Sequence, residues 1–474
     1  MPINPKGILK VPLMIPLAQP ANVTLMDRPR ARKGTYFIQT WGCQMNEEDS
    51  EQMGLYLRDL GYEPAQSVLE AEVVILNTCS VRKKPEDKAF SLLGELEPLK
   101  RGKREMILGV CGCMAQARAD EIRRRAPHVD FVLGTGDLAQ LPGLVEQAAQ
   151  TRRFAKRVEL PERKGSVVTD VPQRHLGRAA KLKAFVPIQY GCDKFCTYCI
   201  VPNTRGRERS RPTADILEEV AKLAEQGTKE ITLLGQTVNS YGKNLLEGRV
   251  PFSELLWRLS ETEGLERIRY TSPYPRDFKR DLIETIRDCP KVMEHVHLPL
   301  QSGDDDVLRE MKRVYTLESY RAIVDELRAT VPGITITTDV IVGFPGETEA
   351  QFEATMEAFR QLRFDGAYMF AYSTRPGTPA GDRTDQVPNQ VKKERLNRLI
   401  ALQNEITCEI NATFVGRELE VLIEGTSPKN PGMLQGYSRE FKMVHFPGSP
   451  DRAGRLATVR ATSAHQWGLA AELA

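Results

Sequence analysis

Three cysteines stand close together in the segment Cys192-Asp-Lys-Phe-Cys196-Thr-Tyr-Cys199. Cysteine thiolates are the usual protein ligands of iron–sulfur clusters, and a cubane cluster has four irons. Three thiolates therefore leave one iron open to another molecule. The spacing differs both from the ferredoxin pattern and from the paired C-x₂-C of zinc ribbons, so at this point structural zinc stays the alternative to a cluster.

A second set of three cysteines lies in the first part of the chain. Cys43, Cys79 and Cys113 each follow a strand-like segment, namely TYFIQT, AEVVILNT and EMILGV. These segments alternate with helical patterns, which predicts parallel strands whose carboxyl ends share one edge of the sheet. The three thiols are therefore expected to meet and to form a second metal site. The alternative interpretation is three small buried cysteines at strand ends.

The third position of this second set has two candidates, because the chain reads Cys111-Gly112-Cys113. Strand alternation would place both thiols on the same side, so Cys111 is expected to lie near the metal site without binding it. Cys289 and Cys408 have no partner at ligand spacing and lie in or beside helical patterns. Both are predicted to pack in the hydrophobic core.

The elements that must position these cysteines predict an α/β fold with three folded regions. Residues 1–33 read as a flexible tail, 34–150 as a doubly wound domain and 151–183 as a basic linker. Residues 184–408 contain six strand–helix units, too few for an eight-stranded barrel, so an open, partial (β/α)6 barrel is expected. Residues 411–473 are rich in strands and turns and predict a small β-barrel.

The composition indicates the cellular compartment in which the chain is expected. With 474 residues and 41% hydrophobic residues, it has no apolar run long enough to span a bilayer, so no membrane association is expected. Prolines break the short apolar run near the N-terminus, which argues against a secretory signal. Nine cysteines at ligand-like spacings argue against a disulfide scaffold and for a reducing cytoplasm.

Basic residues are concentrated in two places although the net charge is only +3. Residues 151–183 contain ten Lys and Arg against three Asp and Glu, which suits a phosphate backbone but also a solvated linker. Arginines alternate in TRGRERSRP, and an extended backbone would project all of them to one side, toward RNA backbone, an anionic cofactor or solvent. This predicted row consists of Arg205, Arg207, Arg209 and Arg211.

The terminal barrel adds a weaker basic signal. Arg439 and Lys442 lie close to Tyr437 and Phe441 in the sequence. RNA-binding barrels combine such charges with aromatic rings that stack on bases. Arg439 and Lys442 are therefore candidate RNA contacts, with Tyr437 and Phe441 as candidate stacking residues.

Longer motifs around these residues resemble the radical S-adenosylmethionine methylthiotransferase family. They are TWGCQMNEEDSE, ILNTCSVRKKPEDKA, GCMAQ, YGCDKFCTYCIVPNTRGRERSRP, HLPLQSGDDDVLREMKR, TDVIVGFPGET and YSTRPGTPA. The resemblance covers nearly the whole chain from Gly34. It implies an N-terminal methylthiotransferase domain, a radical S-adenosylmethionine domain and a C-terminal TRAM barrel.

The resemblance also implies the cofactors. Cys43, Cys79 and Cys113 would hold an auxiliary [4Fe-4S] cluster, and the family's GCMAQ motif favours Cys113 over Cys111. The loop cysteines would hold a second [4Fe-4S] cluster whose open iron binds S-adenosylmethionine. Residues implied to contact S-adenosylmethionine lie mostly at strand ends, where glycine permits close approach but is also common in turns. They are Tyr198, Gly235, Gln236, Gln301, Ser302, Gly303, Gly343 and Gly346.

The family reaction implied is methylthiolation of carbon 2 of the adenine in N(6)-dimethylallyladenosine (isopentenyladenosine), next to the anticodon of tRNA. Two S-adenosylmethionine molecules are consumed, one to methylate a sulfur and one to generate the radical that removes the hydrogen. Sister enzymes act on threonylcarbamoyladenosine or on a ribosomal-protein aspartate. The segment 203–207 and the basic linker favour the isopentenyl branch. A third hypothesis is a non-catalytic iron–sulfur and RNA-binding module.

The implied partners are tRNA carrying isopentenyladenosine and an electron-donor protein such as flavodoxin or ferredoxin. The sequence does not specify the sulfur source. A cytoplasmic monomer is expected.

Overall fold

The computed structural model describes residues 33–80, 83–161, 174–177 and 181–474. The predicted tail, except Lys33, and much of the basic linker lie outside these ranges. Within them, no helix is both long enough and apolar enough to cross a membrane.

The first domain is a six-stranded parallel sheet with helices on both faces, and its strand order is β2-β1-β3-β4-β5-β6. Its strand β3 is buried along its whole length because the sequence VVILNT faces helices on either side. The sheet extends to Arg157, past the predicted domain end at residue 150. The elements are β1 (Gly34–Trp41), α1 (Gln44–Asp59), β2 (Tyr62–Pro64), β3 (Val73–Thr78), α2 (Lys83–Gly102), β4 (Ile107–Cys111), α3 (Cys113–Arg125), β5 (Phe131–Leu133), α4 (Leu141–Thr151) and β6 (Ala155–Arg157).

The central domain contains six parallel barrel strands in two groups, β11-β10-β7 and β12-β13-β14. A bridge between Ile268 and Val292 joins the groups, which confirms the predicted open, partial barrel. Its elements are β7 (Lys183–Pro187), β8 (Gln189–Tyr190), α5 (Val201–Arg205), β9 (Arg209–Ser210), α6 (Thr213–Glu225), β10 (Glu230–Leu234), α7 (Phe252–Ser260), β11 (Arg267–Tyr270), α8 (Arg280–Asp288), β12 (His295–His297), α9 (Asp305–Glu310), α10 (Leu317–Thr330), β13 (Thr335–Val342), α11 (Glu349–Leu362), β14 (Gly366–Ala371) and α12 (Asn389–Ala412).

The terminal domain is a closed five-stranded barrel, as predicted, with strand order β15-β16-β17-β19-β18. Its strands are β15 (Glu418–Ser427), β16 (Asn430–Ser438), β17 (Met443–Pro447), β18 (Leu456–His465) and β19 (Gly468–Leu473). Strand β11 anchors it to the central domain. The buried Arg267 donates hydrogen bonds to the carbonyls of Tyr437 (2.8 Å) and Glu420 (2.9 Å), and Arg269 donates to that of Ser438 (2.7 Å).

Arg174 connects the first and central domains. Its buried guanidinium forms an ion pair with Glu48 on α1 and another, at 3.1 Å, with Glu219 on α6. It also donates a hydrogen bond to the Tyr190 hydroxyl at 3.2 Å. Burial favours the neutral form of an arginine, but the two carboxylates raise the pKa of Arg174 well above its ordinary value. This described part of the basic linker therefore acts as an interdomain contact.

Candidate iron–sulfur and cofactor sites

The structure brings Cys43, Cys79 and Cys113 together at the carboxyl edge of the first sheet. Cys43 precedes α1, Cys79 follows β3 and Cys113 begins α3, and the strands β1, β3 and β4 that lead to them are neighbours. Cys79 hydrogen-bonds with both other thiols. These bonds lower the pKa of Cys43 to about 5 and that of Cys113 to about 7, and they raise the pKa of Cys79. This donor set fits the thiolate ligands of a cluster.

Two buried asparagines, which hydrogen-bond to each other, lie beside this cysteine group. The Asn46 side-chain amide donates to Asn77 Oδ1 at 3.1 Å, and the Asn77 amide donates to the Asn46 carbonyl at 2.8 Å. Gly112, at φ 88°, leaves room for this pair, because a Cβ there would lie 2.3 Å from Asn77 Oδ1. The turn that presents Cys113 therefore requires glycine.

Cys111 does not join the group. It ends strand β4 and packs in the hydrophobic cluster that also contains Met53 and Phe131. Burial raises its pKa, and the carboxylate of Asp49 raises it further. The predicted alternation fails because the chain leaves the strand at Gly112 and Cys113 already belongs to α3. The structure thus places Cys113, and not Cys111, next to Cys79.

Arg205 lies beside the first cysteine group, and its position corrects the predicted arginine row. It is buried at the end of α5 and forms an ion pair with Asp49 of α1 at 2.8 Å. Its positive charge acts on Cys43 and Cys113 and favours their thiolates. Burial raises the pKa of Asp49 in spite of this arginine. Arg205 is therefore an interior cation beside the first cysteine group and not an exposed RNA contact.

The other three arginines do not form an exposed row either. Arg209 and Arg211 are buried, and Arg211 forms an ion pair with Glu219 at 2.7 Å. Arg207 is exposed and pairs with Asp193 at 2.6 Å. Helix α5 and the positive φ of Gly206 interrupt the extended backbone that the prediction assumed. Arg207 is the one member of the row that reaches the surface.

The loop cysteines lie between β8 and α5, and each sulfur accepts a hydrogen bond. The donors are the Lys194 amide to Cys192 (3.4 Å), Arg313 Nη1 to Cys196 (3.4 Å) and the Val201 amide to Cys199 (3.5 Å). Burial raises the pKa of Cys192 to about 11 and that of Cys199 to about 12. Such N–H donors stabilise sulfur ligands that carry negative charge, so the loop fits a cluster.

Among the described residues, no group of three or more His, Cys, Asp or Glu side chains is arranged to hold a single metal ion. In a cubane cluster each thiolate binds its own iron, so the sulfurs need not converge on one point. Of the remaining cysteines, Cys289 is buried as predicted. Cys408 is exposed on α12, which contradicts its predicted core position.

Arg313 was not singled out by the sequence reasoning, although it lies in the motif HLPLQSGDDDVLREMKR. Its buried guanidinium stacks over the rings of Tyr274 (4.6 Å) and Tyr315 (5.2 Å) and reaches Cys196. A second missed residue is Gln189 on β8, whose buried side-chain amide has no hydrogen-bond partner among the residues that the structure describes. It lies beside Gly235, where a bound molecule would find an unused donor and acceptor.

The residues predicted to contact S-adenosylmethionine fall into two groups. Tyr198 packs in the cluster formed by Met311, Phe344 and Tyr372, and burial raises its pKa well above the ordinary value. Gly235 and Gln236 directly follow β10. This first group adjoins the cysteine loop or a strand end, as the prediction requires.

The second group consists of the remaining predicted contacts, and helix packing explains why some of its members are small. A Cβ on Gly303 would lie 2.6 Å from Thr355 Cα of α11, and one on Gly343 would lie 2.4 Å from Lys392 Cγ. Gly346 has φ 77°. Gln301 is buried at φ 75°, and Ser302 is fully buried near Thr355, with 3.5 Å between the two hydroxyl oxygens. Packing against α11 and α12 accounts for Gly303 and Gly343, and their contact with S-adenosylmethionine stays a prediction.

The candidate RNA contacts of the terminal barrel lie at its interface with the central domain. Lys442 is buried and forms an ion pair with Asp365 at 2.8 Å, and Arg439 pairs with Glu294 at 2.8 Å. The rings of Tyr437 and Phe441 stack on each other at 4.7 Å, and Phe441 stacks on His295 at 4.5 Å. These groups join two domains, so the structure does not support the predicted RNA contacts.

A polar cleft of about 650 Å³ separates the first domain from the central domain. Phe90, Arg118 and Arg125 line it from the first domain, and Tyr372 and Arg375 line it from the central domain. A smaller adjoining cleft of about 280 Å³ shares Arg118 and Arg375 and is also lined by Ser80, the residue after Cys79. Ser80 thus places the smaller cleft next to the first cysteine group.

Comparisons with known proteins divide the chain in the same way. Residues 35–134 match the uncharacterized protein family UPF0004, residues 186–359 the Radical SAM superfamily and residues 412–474 the TRAM domain. The tRNA-2-methylthio-N(6)-dimethylallyladenosine synthase of Moorella thermoacetica is 49% identical over 446 residues, which are 94% of this chain and 99% of the relative. The chain belongs to this family. The synthase of Geobacillus thermodenitrificans is 46% identical over 94% of this chain and 84% of the relative.

Membership makes the protein a radical S-adenosylmethionine enzyme and a tRNA methylthiotransferase. A solved structure with a similar fold is the radical S-adenosylmethionine methyltransferase TsrM from Kitasatospora setae, with cobalamin and a [4Fe-4S] cluster bound. Its TM-score is 0.51 at 14% identity, over 73% of this chain and 77% of that chain. This likeness shows a shared fold.

Proposed function

We propose that the protein methylthiolates carbon 2 of N(6)-dimethylallyladenosine next to the anticodon of tRNA. The observation that carries the proposal is the pair of three-cysteine groups, each of which leaves one iron of a [4Fe-4S] cluster without a protein ligand. When bound, the two clusters and S-adenosylmethionine supply the radical and the sulfur. An aromatic C–H bond is too weakly acidic for side-chain bases, so this chemistry is needed.

The residues of the chain contribute position and charge. Cys192, Cys196 and Cys199 would hold the radical-generating cluster, and Arg313 holds the Cys196 sulfur within the loop. Cys43, Cys79 and Cys113 would hold the auxiliary cluster, with Asn46 and Asn77 fixing the turns around them. Arg205 links the two groups because it follows the loop in sequence and pairs with Asp49 of the first domain.

The polar cleft supports a nucleoside substrate. Its volume of about 650 Å³ lies within the range of small-molecule sites. Phe90 and Tyr372 offer aromatic surface, and Arg375 lies close enough to Cys79 for their charges to interact. We propose that the target adenosine leaves the anticodon loop and reaches the auxiliary site through this cleft, since a base must be unstacked before chemistry can take place on it.

We further propose a cytoplasmic monomer with the functional units 34–150, 184–408 and 411–473, which receives electrons from a flavodoxin or ferredoxin. RNA binding would use the terminal barrel through surfaces other than the Arg439 and Lys442 interface. Cytoplasmic location is supported by nine free cysteines at ligand-like spacings.

The test supplies reconstituted protein with S-adenosylmethionine, a chemical reductant and one candidate substrate at a time. Mass spectrometry of each digested substrate should show a methylthio group on isopentenyladenosine in tRNA and none on threonylcarbamoyladenosine or on the ribosomal protein. Modification of either alternative substrate in its place would refute the assignment. Iron analysis should give about eight irons per chain, since two [4Fe-4S] clusters are required.

A further inference from the structure

Two exposed apolar side chains flank the same sulfur of the cysteine loop. Phe195 precedes Cys196 and is 42% exposed, with its backbone in the left-handed region at φ 49°. Val314 is 52% exposed and follows Arg313, whose guanidinium donates to the Cys196 sulfur at 3.4 Å. The two residues whose side chains meet at this sulfur, Cys196 and Arg313, are buried, and each is next in sequence to an exposed apolar residue.

The backbone at this spot is held by its surroundings. A left-handed conformation is uncommon for an aromatic residue and persists where neighbouring contacts fix it. The Val314 amide donates to the Tyr274 hydroxyl at 3.4 Å. Lys194 Nζ lies over the Tyr274 ring in a cation–π contact, 4.5 Å from the ring centroid. Arg207 lies over the Phe195 ring at 5.2 Å. These contacts keep both apolar side chains turned outward.

Basic side chains surround the apolar spot. Arg207 and Lys243 have about half-exposed side chains, Lys312 is exposed and Lys194 is partly exposed. Three carboxylates face them: Asp193 pairs with Arg207, Asp277 accepts from both Lys194 and Lys243, and the buried Glu208 interacts with the charges of Lys194 and Lys243. Four cations against three carboxylates leave a small local excess of positive charge. We call Phe195, Val314, Lys194, Arg207, Lys243 and Lys312 the loop patch.

We propose that the loop patch is the docking surface for an acidic one-electron carrier protein with a reduced flavin or iron–sulfur centre. This inference rests on the radical half of the proposed function. The carrier loses one electron, the cluster held by the cysteine loop gains it, and no bond to a protein atom changes. Electron tunnelling weakens steeply with distance, so the carrier must approach where the cluster is nearest the surface.

The size and charge of the loop patch suit such a partner. Electron-transfer complexes are short-lived and use small interfaces, below about 1,200 Å² in total. A few apolar side chains within a basic rim give weak contact together with electrostatic steering of an acidic surface. The loop patch and the residues that contact it, Tyr274 and Cys196, all belong to the central domain, so the carrier would dock on that domain alone.

The test reverses charge without touching the cysteine ligands. The variant Lys243→Glu with Lys312→Glu is compared with a control carrying Lys222→Glu and Arg258→Glu, exposed cations on α6 and α7 with the same total change of charge. Reduced flavodoxin is mixed anaerobically with each reconstituted protein and S-adenosylmethionine at low salt. Binding is measured as the Kd of each protein for oxidised flavodoxin and for tRNA. The reaction is followed as the rate of 5′-deoxyadenosine formation, which the auxiliary cluster does not support.

The patch variant should react about tenfold or more slowly with flavodoxin than the wild type, because steering contributes at least that factor to association. The control should stay within about twofold, and added salt should narrow the difference. With photoreduced 5-deazaflavin, a small uncharged reductant, all three proteins should react alike. Val314→Ser should also slow the flavodoxin reaction.

Three outcomes would overturn the proposal. An unchanged flavodoxin rate excludes docking at the loop patch. Equal slowing with both reductants means that the substitutions act on the cluster itself. Weaker tRNA binding with unchanged reduction by flavodoxin makes the patch an RNA surface. Absence of methylthiolated tRNA in the presence of normal 5′-deoxyadenosine formation would instead contradict the proposed function and leave docking intact.

Discussion

Replacing Asp49 by asparagine isolates the buried ion pair between the first and central domains. Asp49 and Arg205 lie 2.8 Å apart and both are nearly inaccessible to solvent. At that separation and an effective dielectric constant of about 20, their attraction is about 6 kcal/mol. The cost of burying both charges offsets much of this attraction, consistent with the raised pKa of Asp49.

Asp49→Asn keeps the shape of the side chain but leaves the Arg205 charge without its carboxylate. Loss of one partner of a buried pair costs about 3–5 kcal/mol. The double variant Asp49→Asn with Arg205→Gln removes both charges of the pair and should recover part of that loss, giving a coupling energy of about 0.5–3 kcal/mol.

Urea unfolding of the reduced, metal-free protein measures these values. The three tryptophans lie one in each folded part, at Trp41, Trp257 and Trp467. Trp257→Phe with Trp467→Phe leaves Trp41 as the sole tryptophan, so its fluorescence follows the first domain. The control is Glu97→Gln, which removes an exposed ion pair on α2 of the same domain and should cost about 0.5 kcal/mol or less. If Asp49→Asn costs no more than this control, the reasoning is wrong.

Four further results are expected. Iron analysis after reconstitution should fall from about eight to about four irons per chain in Cys113→Ala and stay near eight in Cys111→Ala; the reverse pattern would exchange their roles. Gly112→Ala should also lose the auxiliary irons and keep the loop cluster, because its Cβ would clash with the asparagine pair. Burial raises the pKa of Glu208 to about 7. The free energy of unfolding is therefore highest near pH 4, where Glu208 is protonated in both states, and it falls by at most about 3 kcal/mol as the pH rises to 7. Glu208→Gln should remove this pH dependence from the urea-unfolding measurements. Arg269→Ala should cost about 1–3 kcal/mol and speed proteolytic release of the terminal barrel, because it removes hydrogen bonds that join the barrel to β11; unchanged release would show that other contacts hold the barrel.

The arrangement of the cysteines was predictable because it follows from local patterns. The run VVILNT is apolar on both sides and therefore predicts a fully buried parallel strand, and Cys79 comes directly after it. Once the first three long strands are parallel neighbours, their carboxyl ends and the thiols beyond them must lie at one edge. The roles of Cys111 and Cys113 were not predictable from alternation, because a single glycine ends the strand between them.

The arginines show where sequence reasoning failed. The acids that neutralise Arg205 and Arg211 are Asp49 and Glu219, and the first of these is 156 residues away in the sequence. Spacing along one segment cannot reveal such partners. The predicted stacking role of Tyr437 and Phe441 is unsupported for a related reason. Their aromatic rings are typical of an RNA-stacking surface, but His295 of the central domain stacks on Phe441.

The contacts of Arg174 have a consequence for attempts to divide the protein. Peptide-bond cleavage between residues 162 and 173 would leave Arg174 on the central fragment and Glu48 on the first fragment, with their ion pair intact in the assembled pair. Separate expression would instead expose a formerly buried charge that has lost its partner: Glu48 on the first fragment and, on the central fragment, Arg205, whose partner is Asp49. We therefore expect the two fragments to be poorly soluble alone and to reassemble when co-expressed, as a split enzyme.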